Sequence, residues 1–372
     1  MKAIGIILAG GNSQRLKELC SVRATAAMPV ASSYRAIDFA LSNMTNSDIR
    51  KVAVITQFNS RSLHDHLSSA KWWDLDRKEG GLYIFTPFLS NNNNFWFRGV
   101  ADSIYQKISI LKRSHEPYVV IVSGDGIYKM DYQKVLEYHV SKNADITIVT
   151  QNVAGQEGKD VQNFGVMTFD DDMKMTSFEE KPIEPKSSNI SLGIYVISRT
   201  LLIKLLENAI PKGYYDFVKD IILRNKNNLN VYGYEFDGYW NTLNSIEAYM
   251  QTNMDFLKAE VRVPLLGQEP YIETKPSDDP PAKYNPTSEV TNALVGTGCI
   301  IDGAVDTSIL FRKVKISEGA SVKNSIIMKG SYIGKNCVIE NAIIDKECVI
   351  SDGKQLIGTK EEPVVIQKGQ VI

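Results

Sequence analysis

Three short segments have residue types and spacing suited to chemistry on a phosphate. The first is Leu8-Ala9-Gly10-Gly11-Asn12-Ser13-Gln14-Arg15-Leu16, directly after an apolar N-terminal run. Two glycines after a buried strand let the backbone turn tightly and aim its N–H groups outward. Such groups hold phosphate oxygens, and Arg15 adds charge. A simple tight turn would use the same residues. The second segment is Ser123-Gly124-Asp125. A carboxylate there suits Mg²⁺, which takes oxygen ligands and keeps several waters, or it caps a following helix. The third is Phe178-Glu179-Glu180-Lys181-Pro182, where a lysine held beside a proline offers a point charge to a sugar phosphate. The alternative is a solvated surface lysine.

These segments must be positioned by the elements around them. Ala3–Ala9, Val52–Thr56, Val119–Ser123 and Ile146–Thr150 are short apolar, mostly β-branched runs. Turns or helical stretches such as Ala101–Arg113 and Gln133–Ser141 follow them. That alternation predicts an α/β domain with a mostly parallel sheet covered by helices. Ligands of such sheets bind beyond the carboxyl ends of the strands, so chemistry is expected after Ala9, Thr56 and Ser123. Pro264, Pro270, Pro276, Pro280, Pro281 and Pro286 then crowd a stretch without regular periodicity, read as an extended connector. Farther on, aliphatic residues recur at Ile316, Val322, Ile327, Ile333, Ile339, Ile344 and Ile350, in steps of six or five. A near-six period predicts a hexapeptide β-helix whose coils stack around an apolar column. The expected division is an α/β domain over 1–257, a linker over 258–291 and a β-helix over 292–372.

Composition excludes several classes. Hydrophobic residues make up 43% and charged residues 23% of 372, as in ordinary globular proteins. A net charge of −1 gives no electrostatic footprint for nucleic acid. No stretch approaches a bilayer span, and the N-terminal run leads straight into Gly-Gly, as a first strand would; neither a membrane nor a signal peptide is expected. The four cysteines, Cys20, Cys299, Cys337 and Cys348, form no CxxC pair and are expected to be reduced, partly buried thiols in a cytoplasmic protein. His64 and His66 lie two apart, a spacing that does not place both on one helix face for a metal.

Together the motifs resemble the glucose-1-phosphate adenylyltransferase (ADP-glucose pyrophosphorylase) family. The resemblance rests on the Leu8-Ala9-Gly10-Gly11 loop, Tyr34-Arg35-Ala36-Ile37-Asp38, Phe97-Arg98-Gly99-Val100-Ala101-Asp102, Ser123-Gly124-Asp125, Asn163-Phe164-Gly165, Glu179-Glu180-Lys181-Pro182, Ser191-Leu192-Gly193-Ile194-Tyr195 and the terminal repeats. It implies a Rossmann-like, GT-A-like sheet domain followed by a left-handed parallel β-helix. It also implies a reaction in which glucose 1-phosphate attacks the α-phosphate of ATP, giving ADP-glucose and pyrophosphate for glycogen synthesis, with two aspartates holding Mg²⁺. By motif, Asp125 matches one metal aspartate, and Arg15 stands at the nucleotide phosphates. Leu8, Ala9, Gly10, Gly11, Gln57 and Gly99 match the nucleotide site; Phe97, Gly165, Glu180, Lys181 and Ser191 match the glucose 1-phosphate site.

The departures from the pattern matter more. Ser13 replaces a loop glycine, Thr25 a lysine near the phosphates, Gly126 a histidine and Phe97 a tyrosine. Trp240-Asn241-Thr242-Leu243-Asn244-Ser245 stands where the family has W-x-D-V-G-T, so Thr242 occupies the second metal aspartate's position. A hydroxyl is a poor substitute for a carboxylate around Mg²⁺. The pattern is similar to that of the D-type subunit, a catalytically poor modulator that pairs with an active catalytic subunit in a hetero-oligomer, and Mg²⁺ is expected to bind weakly or not at all. The competing expectations are an active enzyme, with Asp237 or Glu247 replacing Thr242, and a transferase for another sugar nucleotide. The Asn91–Asn94 run is expected to be a surface loop with no general acid or base.

Overall fold

The computed structural model describes residues 1–11, 14–88, 96–156 and 160–372; the expectations about Ser13 and Asn91–Asn94 lie outside these. The first apolar run forms β1 (Ala3–Leu8). A short ribbon follows, β2 (Pro29–Val30) and β3 (Tyr34–Arg35), then α1 (Ala36–Asn46), β4 (Lys51–Ile55), α2 (Arg61–Leu67) and β5 (Gly81–Phe85). Next come α3 (Val100–Tyr105), α4 (Ile108–Arg113), β6 (Tyr118–Ser123), β7 (Gly126–Tyr128), α5 (Tyr132–Ser141) and β8 (Ile146–Asn152). The domain is completed by β9 (Gly165–Phe169), β10 (Met175–Glu180), β11 (Asn189–Ser198), α6 (Arg199–Ala209), β12 (Val231–Glu235), β13 (Trp240–Thr242) and α7 (Ile246–Asp255).

The heart of the main sheet is the parallel array β5-β4-β1-β6. Beyond β6, β11 enters antiparallel and branches to β8, which pairs parallel with β12, and to β9 with β10. The central strands read as continuous apolar runs because both faces are covered. Val52, Val54, Val120 and Val122 pack to one side; Ile4, Ile6, Ala53, Ile55, Val119 and Ile121 pack to the other.

The stretch Ala101–Arg113 is not a single helix; it breaks at Gln106–Lys107 between α3 and α4. Lys107 is buried and turns its ammonium over the Phe88 ring, 3.8 Å from the centroid, with Phe85 and Phe97 near. Its attraction to the ring faces draws inward a residue that helical spacing would leave in solvent.

After α7 the chain forms a further turn of helix, α8 (Ala259–Arg262), and a wide turn over Val263–Gly267. This departs from the wholly irregular connector expected there. Pro264 is tolerated because it falls at the start of that turn, where its missing N–H has no helical partner. The connector then straps α1: Ser42 exchanges hydrogen bonds with Glu273, and Trp73 Nε1 donates to the Glu273 carbonyl at 3.0 Å.

The C-terminal region is a parallel β-helix of hexapeptide repeats. Lys283–Tyr284 already pairs parallel with Ile300–Ile301, so coil pairing starts within the stretch read as linker. Steps of six, five and six make a seventeen-residue coil: Ile316 lies beside Ile333 and Ile333 beside Ile350, Val322 beside Ile339, Ile327 beside Ile344. All seven positions are buried, and Cys299, Cys337 and Cys348 join the column as free thiols, as Cys20 does elsewhere. No helix among the described residues is long and apolar enough to cross a membrane.

Candidate functional site

The carboxyl ends of β1, β4 and β6 converge as parallel-sheet logic requires. Ala9 donates its N–H to the Ile55 carbonyl at 2.8 Å, and Gly124 donates to the Leu8 carbonyl at 3.0 Å. Gly124 has no room for a side chain: a Cβ there would lie 3.1–3.3 Å from Ile37, Ala26 and Ala9. The first loop, the turn carrying Thr25 and the loop carrying Asp125 are thereby pressed into one place.

Leu8, Gly10, Gly11, Ile55, Gln57, Phe97 and Gly99 share a cleft of about 190 Å³. Gln57 Oε1 accepts the Phe97 N–H at 2.9 Å and fixes its far wall. Phe97, matched by motif to glucose 1-phosphate, lines this cleft together with Leu8, Gly10, Gly11, Gln57 and Gly99, matched by motif to the nucleotide. Gly99 is needed because its Cα abuts the Tyr215 carbonyl; a Cβ would come within 2.4 Å of it. Arg98 stacks on the Tyr215 ring, donates to its hydroxyl at 2.6 Å and pairs with buried Asp102. This buckle ties the Phe97–Asp102 segment to the segment preceding Asp216.

The second cluster gathers around Glu180. Gly165 lies opposite Glu180 across β9 and β10, and a Cβ at 165 would meet the Phe178 ring at 2.5 Å. Lys181 takes a left-handed backbone (φ 50°) and donates its N–H to the Phe164 carbonyl at 3.0 Å. That bend turns the chain out of β10 and presents the lysine to solvent. Desolvation raises the Glu180 carboxyl above its ordinary range, with Lys181 opposing, Asp216 adding and Lys219 opposing. Ser191 is nearly buried and hydrogen-bonds Tyr195, whose hydroxyl burial pushes up to about 12. Tyr195, Asp216 and Lys219 therefore belong to this cluster, although sequence reasoning did not select them. Asp216 caps the turn over Phe217–Ile222 by accepting the Lys219 N–H at 2.7 Å. The run Tyr214-Tyr215-Asp216 was the available signal. Arg15 spans toward this side, its guanidinium donating to Asn163 Oδ1.

Asp125 and Thr242 are brought together by a two-strand ribbon. In the β7–β13 pairing Thr242 lies opposite Gly126, and Leu243 donates its N–H to the Asp125 carbonyl at 3.2 Å. Asp125 accepts a hydrogen bond from Ser123 Oγ, and burial raises its carboxyl above the ordinary range. A strand follows it, so Asp125 is not a helix cap. Gly126 is built in: a Cβ there would lie 2.7 Å from the Tyr128 ring, which occupies the space of a larger side chain. Thr25 is buried with its hydroxyl 3.7 Å from Cys20 Sγ. Glu247 and Asp237 line other clefts, of about 520 and 610 Å³. The Ser123 hydroxyl bonds the Asp125 carboxylate, and Thr242, its near neighbour across the ribbon, brings no second carboxylate, which fits a two-carboxylate grip on Mg²⁺ poorly. His66 is not a metal ligand candidate either: its Nε2 lies 2.6 Å from buried Asp38.

A basic cleft of about 350 Å³ opens where the two domains meet. Arg35, Lys275, Arg312, Lys329 and Lys346 line it against Asp65 and His66. Lys346 is pushed down to about 7, by burial first and then by the charges of Arg35 and Arg23.

Comparison with known proteins agrees with this geometry. Residues 4–259 match the family described as nucleotidyl transferase, and residues 280–363 match the GlmU-like C-terminal hexapeptide family. A glucose-1-phosphate adenylyltransferase of Bacillus cytotoxicus is 37% identical over 371 residues, covering 98% of each chain. One from Geobacillus stearothermophilus is 39% identical over 87% of this chain and 83% of its own. One from Clostridium perfringens is 40% identical over 89% and 85%, respectively.

Proposed function

We propose that this chain, which belongs to the glucose-1-phosphate adenylyltransferase family, is a regulatory, largely non-catalytic subunit of the D type that modulates a catalytic partner in glycogen synthesis. The observation that carries this reading is the β7–β13 ribbon, which pairs Thr242 with Gly126, next to Asp125, and so puts a neutral residue at the position where the family pattern has a second carboxylate. Phosphoryl transfer of this kind relies on positioning and on neutralising charge that develops in the transition state. Here Thr25 is neutral and buried and Thr242 is neutral, so two charges are missing at the point of transfer. If each contributed a few kcal/mol to the transition state, each loss costs ~100-fold or more. Mg²⁺ is expected to bind this pocket weakly or not at all.

Ligand binding survives in this reading. Glu180, Lys181 and Ser191 remain arranged for a sugar phosphate, and the Leu8–Gly11 turn with Gln57 for a nucleotide. The interdomain basic cleft suits a phosphate-bearing effector, since Arg35, Lys275, Arg312 and Lys329, with Lys346 where it is protonated below about pH 7, face one carboxylate. An effector alters the partner only by favouring one quaternary state over another. The test is co-expression with the catalytic subunit of the same cell. Co-purification and a changed response to phosphorylated effectors are expected. Failure to associate, with full activity of the isolated chain, overturns the proposal.

A further inference from the structure

A cleft of about 520 Å³ between α7 and the β-helix lies within the usual range for small-ligand sites. Its chemistry differs from that of the basic cleft. Asn163, Asn241, Asn244, Asn324 and Asn341 supply amides, and Asp160, Glu247 and Lys360 are its only charged residues among those described. Phe164, Met250 and Met254 give it an apolar side. Amides over an apolar floor suit a neutral polyol, whose hydroxyls both donate and accept while its C–H face packs on apolar atoms. They do not suit a phosphate, which calls for cations or aligned N–H groups.

The β-helix contributes in a regular way. Thr307, Asn324 and Asn341 occupy successive coils at one corner, each with a left-handed backbone (φ 44–49°). Coils stack ~4.8 Å apart, so the corner presents a polar group at each step. Asn341 donates to the Gly358 carbonyl, but the Asn324 side chain makes no hydrogen bond with the described residues. A second cleft of about 610 Å³, with Gln151, Gln156 and Tyr239, adjoins across Asn241 and Gln251, which line both. That second cleft also carries Asp237, Asp255, Lys258 and Glu260, so the uncharged ligand is assigned to the first.

We propose that this interdomain cleft binds an uncharged oligosaccharide. The site also touches the phosphate site from behind. Asn163 accepts the Arg15 guanidinium, and Asn241 Oδ1 accepts the Thr242 N–H at 2.9 Å. An oligosaccharide hydrogen-bonded to either amide competes with a contact that shapes the Arg15–Thr242 region. The proposal does not depend on whether the chain itself turns over.

The test is calorimetric titration of the full chain with maltotriose, and separately with glucose 1-phosphate. Saturable maltotriose binding near ~1 mM is expected, typical of a small wet site. Asn324→Ala, which removes an amide without breaking an internal hydrogen bond, and Ala248→Trp, which fills the cleft from α7, should each weaken it at least ~10-fold. Thermal melting of the free variants shows that both are folded; if Ala248→Trp is not, Asn324→Ala carries the test. Absence of saturable binding, unchanged affinity in the folded variants, or simple competition between maltotriose and glucose 1-phosphate overturns the proposal.

Discussion

Arg23 and Asp345 form a buried ion pair across the domain boundary, with Nη2 2.7 and 2.8 Å from the two carboxylate oxygens. Their side chains are only 3% and 1% exposed, so solvent screens the pair little. Arg23 lies two residues before Thr25, and Asp345 precedes Lys346, so the pair joins the turn carrying Thr25 to the basic cleft.

Breaking one partner leaves a buried charge without its mate. Asp345→Asn should therefore destabilise the chain by about 3–5 kcal/mol, whereas replacing both, as Arg23→Met with Asp345→Leu, should cost far less. Urea unfolding of the single and double variants measures this. Equal losses in the two would show that the pair is not buried in solution.

Lys346 sets a pH dependence on anion binding. Its folded-state pKa, about 7, lies below its ordinary value of 10.5. Between those values the unfolded chain holds the extra proton, so this group's contribution to stability rises with pH across that window. An anion that needs the ammonium has the opposite dependence, losing affinity as pH rises through 7. Titrations with sulfate, whose charge is constant from pH 6.5 to 8.5, should show this fall, and Lys346→Met should flatten it.

His139 has the same sign of effect on stability, at lower pH. It is buried, bonded to Thr147 at 2.8 Å, and burial lowers it from 6.5 to about 4. Between those values the unfolded state takes a proton that the folded state refuses, so stability is lost as pH falls from 6.5 toward 4. The full effect is of order 3 kcal/mol. Urea midpoints at pH 7 and pH 4.5 should diverge less in His139→Gln than in the unaltered chain.

Lys181 should carry sugar-phosphate binding even without turnover. Lys181→Ala should weaken glucose 1-phosphate binding at least ~10-fold, the loss of one charge-assisted contact of about 1.5–3 kcal/mol. Calorimetry on the isolated chain reads this directly. Unchanged affinity would place the sugar phosphate elsewhere.

The β-helix was legible because burial imposes a fixed step: each of the positions from Ile316 to Ile350 must face the column. The strand ends were legible for a similar reason, since Leu8 and Ser123 close runs buried on both faces. Lys107 was not, because a lysine at helical spacing reads as solvated until the rings of Phe85, Phe88 and Phe97 are seen around it. Tyr195, Asp216 and Lys219 were missed because their grouping depends on a bulged β11 and on a cap far along the chain. The turn over Val263–Gly267 was hidden by Pro264, a residue that marks both loops and helix starts. Thr242 was singled out by motif, but its place beside Asp125 follows from strand pairing.

The central claim is that the pocket lacks anionic and cationic charge where the phosphoryl group moves. ADP-glucose formation by the purified chain, with ATP, glucose 1-phosphate and Mg²⁺, tests it most directly when run beside Thr25→Lys/Thr242→Asp. The unaltered chain should stay well below ~1 s⁻¹, and the double variant should gain activity only in part, because the Tyr128 ring still blocks a larger residue at Gly126. Turnover at or above ~1 s⁻¹ by the unaltered chain, with no gain in the variant, would contradict the account.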